Sequence, residues 1–137
     1  MTYKFLEHTA DVKFRAEGKT IEEAFKAAAL ALREVITKNP KIKINYKIKK
    51  NIKVKGKDNE ALLYNFLEEF LYLLDAKNFL PAKIKNIKIK DNKLEAEIAG
   101  DKASNYKFSN DVKAVTYNQM YVKKYKNKYI VQVVLDV

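Results

Sequence analysis

Apolar positions recur with two different periods along the chain, and these periods predict where strands and helices lie. Segments 3–7 and 12–16 have the short apolar runs typical of strands, and segment 42–54 alternates apolar residues mostly with lysine. A period of two indicates a half-buried strand, whereas apolar residues three and four apart indicate an amphipathic helix. The helical spacing occurs after Thr20 and again after Asp58. The chain therefore begins as strand, strand, helix, strand and helix.

The first helix has a defined start and a defined end in the sequence. Thr20 and Glu23 have the spacing of a capping box, in which each side chain accepts a hydrogen bond from the backbone amide of the other residue. Asn39 and Pro40 end the helix, because proline disfavours helical geometry in the residue before it. The alanines between positions 27 and 31 allow the helix to approach a sheet closely.

The second helix is apolar nearly all round between Ala61 and Leu74. Asp58 is in position to cap its first turn. A helix without a polar face is usually buried on more than one side. We therefore expect burial, and the alternative is that part of this surface is offered to a partner protein.

The second half of the chain adds further strands. Pro81 opens a hairpin whose turn is Asp91 and Asn92, residue types that tolerate positive φ. Segments 112–117 and 120–125 also have the apolar pattern of strands.

The last strand, 129–137, is apolar on both faces up to Leu135. A strand of this kind should lie inside a sheet, and neighbouring termini are common in compact domains. We therefore expect it to lie beside the N-terminal strands. The elements together predict an α+β fold: a single domain over residues 1–137, with a mixed, mostly antiparallel sheet of about seven strands and two helices packed on one face.

Composition narrows the functional classes. The chain of 137 residues contains no cysteine, which excludes disulfides, thiol catalysis and cysteine-ligated zinc or iron–sulfur clusters. Its only histidine and two serines do not form a nucleophile–base motif, and its three glycines form no phosphate-binding loop. No secretory signal is recognisable and no apolar run approaches the ~20 residues that span a bilayer. We expect a cytoplasmic protein that does not enter the membrane.

The formal net charge of +11 comes almost entirely from lysine, since Arg15 and Arg33 are the only arginines. Such a charge favours binding to nucleic acid, but lysine is also ordinary surface filler in many thermophilic proteomes. One candidate function is therefore an RNA-binding module that acts on tRNA directly. It would use the lysines at positions 41, 43, 47, 49, 53 and 55.

Two acids lie in strand-like apolar settings at opposite ends of the chain. Asp11 precedes the second strand, and Asp136 is followed by the α-carboxylate of Val137. If the ends meet, these three groups form a cluster of oxygen ligands, the set that Ca²⁺ or Mg²⁺ prefers over zinc or copper. The alternative is that Asp136 is an exposed strand-end acid and Asp11 caps a turn.

Two further residues are candidates for a role near this cluster. His8 lies three positions before Asp11 and either supplies a proton there or is an ordinary structural histidine. Lys113 lies in an otherwise apolar strand. It either pairs with Asp11 or Asp136, contacts an anionic partner group, or points outward as a solvated lysine.

Several blocks of the sequence resemble those of the archease family, in the same order and across the whole chain. The blocks are EHTADV at 7–12, GKTIEEAF at 18–25, the apolar run 61–73, VKAVTY at 112–117 and VLDV at 134–137. Two positions differ from the usual pattern of the family. Asn118 and Tyr106 stand where, or near where, archeases often have histidine.

The resemblance implies a small α+β accessory protein of RNA ligation that is not itself an enzyme. Archeases act on the GTP-dependent tRNA-splicing RNA ligase: they promote guanylylation of its active-site histidine, sustain multiple turnover and broaden its nucleotide use. The family also implies a calcium site, which falls on Asp11, Asp136 and Val137 of this chain. The implied partner is the catalytic subunit of that ligase, contacted transiently, and contact with tRNA would be indirect.

Overall fold

The computed structural model describes residues 1–7 and 10–137, and within them seven strands, two helices and one short 3-10 turn. The apolar periods described above account for most of these elements. In chain order they are β1 Thr2–Leu6, β2 Val12–Gly18, α1 Ile21–Thr37, β3 Ile48–Lys55, α2 Asn59–Lys77, β4 Phe79–Lys90, β5 Lys93–Lys102, the 3-10 turn Ala103–Asn105, β6 Ala114–Tyr125 and β7 Lys128–Asp136.

The strands form two antiparallel sheets. The four-stranded sheet has the order β1-β2-β7-β6, and the three-stranded sheet has the order β3-β5-β4. The α+β class, the seven strands and the two helices are confirmed, but the strands are divided between two sheets instead of one. β7 lies between β2 and β6, so the last strand is interior and beside the N-terminal strands, as its apolar pattern predicts.

The expected long strand at 42–54 is shorter than its alternating pattern suggests. β3 begins only at Ile48, and the backbone N–H of Asn45 donates to the Tyr106 hydroxyl at 2.8 Å. Segment 42–47 is therefore anchored by a side chain and not by a neighbouring strand. Lys50 lies within β3, and its Nζ is 5.5 Å from the centroid of the Phe79 ring.

The two strand-like segments 112–117 and 120–125 form one strand, β6, with an irregularity in its middle. The pairing with β7 shifts register between Thr116 and Tyr121, and Gln119 has a φ of 55°. Extra residues on one strand of an antiparallel pair form a bulge, which interrupts alternation without ending the strand. The sequence pattern shows that the alternation is interrupted, but it does not show that one strand continues through the bulge.

Both helices begin at the predicted caps. The Thr20 hydroxyl accepts from the Glu23 amide at 3.1 Å, with the reciprocal bond of a capping box, and Asp58 accepts from the Ala61 amide at 2.7 Å. α1 packs on β1, β2, β7 and β4, and α2 contacts β6 as well as all three strands of the other sheet. Contact with both sheets explains why α2 is apolar nearly all round, and its burial is confirmed.

The β4–β5 hairpin turns at Asp91 and Asn92, whose φ values are 53° and 60°. Positive φ at both central residues is typical of the two-residue turn that matches strand twist, so this prediction is confirmed. Further along β5, a Cβ added to Gly100 would lie 2.1 Å from the Leu80 carbonyl oxygen. Glycine is therefore required at position 100, where the backbone of β5 lies too close to β4 for a side chain. In the described part of the chain, neither helix is long and apolar enough to span a bilayer.

Candidate functional site

The pairing of β2 with β7 brings the two predicted acids to the same end of the four-stranded sheet. Val12 is paired with Leu135, so Asp11 and Asp136 are the next residues of the two neighbouring strands. On its other side, Asp136 is paired with Ala114 of β6. β2 and β6 thus hold the end of β7 from both sides.

A pocket of about 440 Å³ opens at this end of the sheet, and we call it the acidic pocket. It is bounded by β1, by the start of β2, by the last turns of α1 and by the segment before β6. Its lining residues are Phe5, Leu6, Asp11, Val12, Lys13, Glu34, Val35, Lys38, Asp111 and Val137. Two of the three predicted metal ligands, Asp11 and Val137, therefore line one cavity, and Asp136 adjoins it through its bond to Val137.

The lysines of the acidic pocket are engaged by other groups. Lys38, the left-handed C-cap of α1, forms a salt bridge with Asp111. The Nζ of Lys13 donates to the Gln119 side-chain oxygen at 2.8 Å. Neither contact uses the carboxylate of Val137.

Glu34 is held on the helix side of the pocket. Its Oε1 accepts from the Tyr3 hydroxyl at 2.9 Å. Burial raises the pKa of Tyr3, and the hydrogen bond to Glu34 raises it further, so the phenol remains a donor at neutral pH. The bond ties β1 to α1 and fixes the orientation of one pocket carboxylate.

Of the two further candidates, one can be located. Lys113 is exposed, and its contribution is its backbone: the amide donates to the Asp136 carbonyl oxygen at 2.8 Å. Its side chain forms none of the salt bridges found in the described part of the chain. The other candidate, His8, lies outside the described residues.

Sequence reasoning missed four charged residues of the pocket: Lys13, Glu34, Lys38 and Asp111. Glu34 and Lys38 lie four residues apart near the end of α1, on the side that meets the strand ends. Asp111 precedes the strand that pairs with the C-terminal strand. Its position would have followed only if the pairing of β6 with β7 were known.

The donor set of the pocket fits a hard cation, with limits on how the ligand shell is completed. The candidate ligands are all oxygens, which suit Ca²⁺ or Mg²⁺. Over residues 1–7 and 10–137, no three side chains of Asp, Glu or His are close enough together to hold a metal ion by themselves. A cation here would therefore need the α-carboxylate of Val137, backbone carbonyls or water in addition to side chains.

Comparison with known proteins places the whole chain in one group. The fold is that of a small α+β protein with two antiparallel sheets, and the family model of the archease proteins matches residues 3–137. Curated archeases from Pyrococcus furiosus and Methanosarcina barkeri are 40% and 38% identical to it, over 98% of this chain and 98% and 95% of theirs. The chain belongs to the archease family.

Solved structures support the same conclusion. The solution structure of protein 1598 from Methanobacterium thermoautotrophicum is 31% identical, covers 98% of both chains and superposes with a TM-score of 0.80. The crystal structure of an archease, described as a possible chaperone, from Thermotoga maritima gives a TM-score of 0.69 at 22% identity over 98% of this chain and 96% of that one. At that identity the second likeness concerns the fold alone.

The two positions that differ from the usual family pattern have different surroundings. The Tyr106 hydroxyl donates to Asp101 at 2.8 Å and accepts from the Asn45 amide, so it is an anchor between segments. The hydrogen bond that Tyr106 donates to Asp101, together with the one from the Lys102 amide, holds the pKa of the buried Asp101 below its usual range. Asn118 is exposed in the β6 bulge, where its amide donates to the Thr116 hydroxyl at 3.3 Å.

Proposed function

We propose that this protein is an accessory protein of RNA ligation and not an enzyme in its own right. Its partner would be the catalytic subunit of the GTP-dependent tRNA-splicing RNA ligase, contacted transiently in the cytoplasm. It would promote guanylylation of that ligase, sustain its turnover and broaden its nucleotide use. The observation that carries the proposal is family membership across residues 3–137.

The form of the acidic pocket is consistent with an activator. Its charged groups are carboxylates and lysines, and the chain has no cysteine. Several of these groups have partners within the protein: Glu34 bonds to Tyr3, Asp111 to Lys38, and Lys13 to Gln119. Such an arrangement suits binding to a cation or a partner better than attack on a substrate.

We further propose that the pocket binds a divalent cation, calcium in the first place, through Asp11, Asp136 and the α-carboxylate of Val137. When bound, the cation would neutralise carboxylates gathered at one strand end and bridge β2 to β7. The chain's own contribution is position: the register of β2 with β7 sets the two acids side by side, and the Lys113 amide holds the Asp136 backbone. His8 and the Lys113 side chain remain candidates for supporting roles.

The direct test is formation of the ligase–GMP adduct. Ligase, labelled GTP and a divalent metal are mixed with increasing amounts of this protein, and the labelled adduct is followed in time. We expect faster adduct formation at substoichiometric amounts, because an activator that leaves after each event acts repeatedly. An unchanged rate at every stoichiometry would contradict the proposal.

The contribution of the metal is tested separately. Asp11→Asn keeps the size of the side chain but removes its charge, and Asp91→Asn makes the same change at the exposed β4–β5 turn. Calcium affinity, measured by calorimetry, should fall for the first variant and stay unchanged for the second. Equal affinities would remove Asp11 from the site without touching the proposed role in ligation.

A further inference from the structure

A second pocket lies on another side of α1, and its charge is opposite to that of the first. It has a volume of about 630 Å³, and we call it the basic pocket. Its lining residues are Arg33, Ile42, Lys43, Ile44, Asn45, Tyr46, Lys47, Ala82 and Lys83. Four of these side chains are cationic and none is acidic, so the lining of the pocket is positively charged.

Arg33 is the most constrained of the four cations. Its Nη1 donates to the carbonyl oxygens of Pro81 and Ala82 at 3.2 and 2.8 Å, which fixes the guanidinium against β4. Burial lowers the pKa of Arg33, and the described part of the chain gives it no salt bridge. A half-buried guanidinium without a carboxylate is costly, and an anionic ligand with oxygen acceptors would offset that cost.

Tyr46 adds an aromatic surface to the same pocket. Its side chain is 53% exposed, although it belongs to a segment that is anchored through Asn45 to Tyr106. The Nζ of Lys83 lies 4.3 Å from the centroid of the Tyr46 ring. An exposed ring beside cations is the combination with which proteins bind single-stranded nucleic acid, since bases stack on the ring and phosphates contact the cations.

The basic pocket continues onto the outer face of the three-stranded sheet. Ala99 of the central strand is paired with Lys49 on one side and with Lys83 on the other, so this row of the sheet has two lysines and no acid. Neighbouring strands lie about 4.8 Å apart, which places the two lysines on either side of a narrow track. The acid-free stretch is limited to this row, since Glu97 of the next row lines one pocket together with Lys49 and Ala99.

The rest of that face is different. In the next two rows the central residue is a glutamate: Glu97 lies between Asn51 and Lys85, and Glu95 lies between Lys53 and Lys88. The Nζ of Lys53 is 3.6 Å from Glu95. Lysines there are balanced within the sheet, as expected of ordinary surface residues. The acid-free end is therefore a local feature and not a consequence of the overall lysine content.

We propose that the basic pocket and the adjoining row bind single-stranded nucleic acid. Phosphates would contact Arg33, Lys43, Lys47 and Lys83, and one base would stack on Tyr46. A single strand fits because the pocket is concave and its aromatic ring can be reached only by an unpaired base. This activity goes beyond the action on the ligase and does not depend on it.

The test compares two triple variants with the same loss of charge. Lys43→Ala/Lys47→Ala/Lys83→Ala removes three lysines of the pocket. Lys123→Ala/Lys124→Ala/Lys126→Ala removes three exposed lysines near the β6–β7 turn, each of which also lies over a tyrosine ring. Binding of a short labelled oligouridine is followed by fluorescence anisotropy over a range of salt concentrations. Melting temperatures establish that both variants are folded.

We expect the pocket variant to lose at least about 10-fold in affinity and to have a shallower salt dependence, by about 2 in the logarithmic slope for three lost phosphate contacts. The control variant should lose at most about 3-fold, because its charges act only at long range. Equal losses would overturn the proposal and leave nonspecific attraction to a basic protein. Tighter binding of duplex than of single strands would overturn it as well.

A second pair of variants tests the aromatic contact. Tyr46→Ala should weaken binding about 10-fold, since stacking of one base is lost while every charge is kept. Tyr125→Ala removes a ring of similar exposure, 56% against 53%, that also lies near a lysine, and it should have no effect. Oligouridine and oligodeoxyuridine arms, which differ only in the 2′-hydroxyl, establish whether that group contributes, and binding of either supports the site. An unchanged affinity of Tyr46→Ala would overturn the stacking contact.

Discussion

The acidic and the basic pocket share one helix but differ in how their charges are balanced. Glu34, Val35 and Lys38 of α1 line the acidic pocket, and Arg33 lines the basic pocket. Arg33 and Glu34 are consecutive, and a helix turns by about 100° per residue, so neighbours in sequence reach different surfaces. In the acidic pocket the lysines already have partners, whereas the cations of the basic pocket have no acid in the lining. The net charge of +11 is thus unevenly distributed between these two surfaces.

The two pockets also differ in how they are assembled. The acidic pocket joins Asp11, Asp111 and Val137, which are brought together by strand pairing across the whole chain. The basic pocket comes largely from one continuous segment, 42–47, held by the Tyr106 hydroxyl. The first should therefore be sensitive to changes at the end of the four-stranded sheet, and the second to changes at its anchor.

The largest expected effect is on the acidic pocket. A peptide extension after Val137 converts the α-carboxylate into a neutral amide, and Asp136→Ala removes a second proposed ligand. Each should reduce calcium affinity at least about 10-fold, because loss of even an outer partner of a metal ligand has an effect of that size. Ligase activation should fall in parallel, and oligouridine binding should not change. Calorimetry, adduct formation and anisotropy measure the three quantities.

The matched control for the extension is the same peptide placed before Met1, whose side chain is 51% exposed. It should leave calcium binding as it is. Loss of oligouridine binding in Asp136→Ala would show that the two pockets are coupled and do not act as independent sites.

The next effect is a uniform loss of stability. Thr20→Ala removes the side-chain acceptor that caps α1 at the end remote from both pockets. Loss of such a cap typically costs about 1 kcal/mol in the free energy of unfolding. Urea titration should show this loss, while calcium and oligouridine affinities stay unchanged at a temperature where the variant is folded. A change in only one affinity would show that the cap acts on that pocket specifically.

A pH dependence is expected at the anchor of the basic pocket. Hydrogen bonds from Tyr106 and from the Lys102 amide lower the pKa of Asp101 in the folded protein. A lowered pKa adds stability above the unfolded value of about 3.9, and that stability is lost as the pH falls through the folded value. Asp101→Asn should therefore lower the melting temperature at pH 7, and the gap to the native protein should narrow in acid.

Asp91→Asn is the control for that measurement, since it makes the same substitution at an exposed turn where asparagine tolerates positive φ. Its melting temperature should follow the native curve at every pH. Asp101→Asn should also weaken oligouridine binding while leaving calcium binding unchanged. A gap that stays constant from pH 7 into acid would contradict the assigned role of Asp101.

The smallest expected effect sharpens the difference between the two parts of the three-stranded sheet. Glu95→Gln/Glu97→Gln removes the only acids in the rows next to the track. Oligouridine affinity should rise by no more than about 5-fold at low salt, since exposed charges a few ångströms apart interact weakly in water. Stability should change by less than about 1 kcal/mol, because the Lys53–Glu95 pair is exposed. A fall in oligouridine affinity would contradict the proposed binding along the row next to the basic pocket.

Local signals in the sequence predict local structure well. The caps at Thr20 and Asp58 and the turn at Asp91 and Asn92 depend on residues within a few positions of one another, and the structure confirms each of them. The interior place of β7 also follows from its own apolar pattern.

The remaining features depend on contacts between distant residues. The alternation at 42–54 does not reveal that segment 42–47 is held by the Tyr106 hydroxyl and not by a neighbouring strand. It also does not reveal that the strands divide into two sheets. Asp111 and Glu34 meet at a pocket only because β7 closes the sheet. In the sequence, Arg33 is one of several charged residues on a helix. That its guanidinium contacts backbone carbonyls of β4 and, among the described residues, no carboxylate depends on the packing of β4 beside α1.

The interior position of β7 has a consequence for the order in which a growing chain can fold. By the time residue 102 has left the ribosome, the three-stranded sheet and both helices have all their residues available. β2 can pair with β1 early, but its pairing with β7 must wait, since residue 12 pairs with residue 135. Closing so long a loop is slow relative to forming a hairpin. The four-stranded sheet is therefore completed last, after synthesis of most of the polypeptide. The acidic pocket comes into existence in the same late step, so the proposed cation could bind there only after folding is complete.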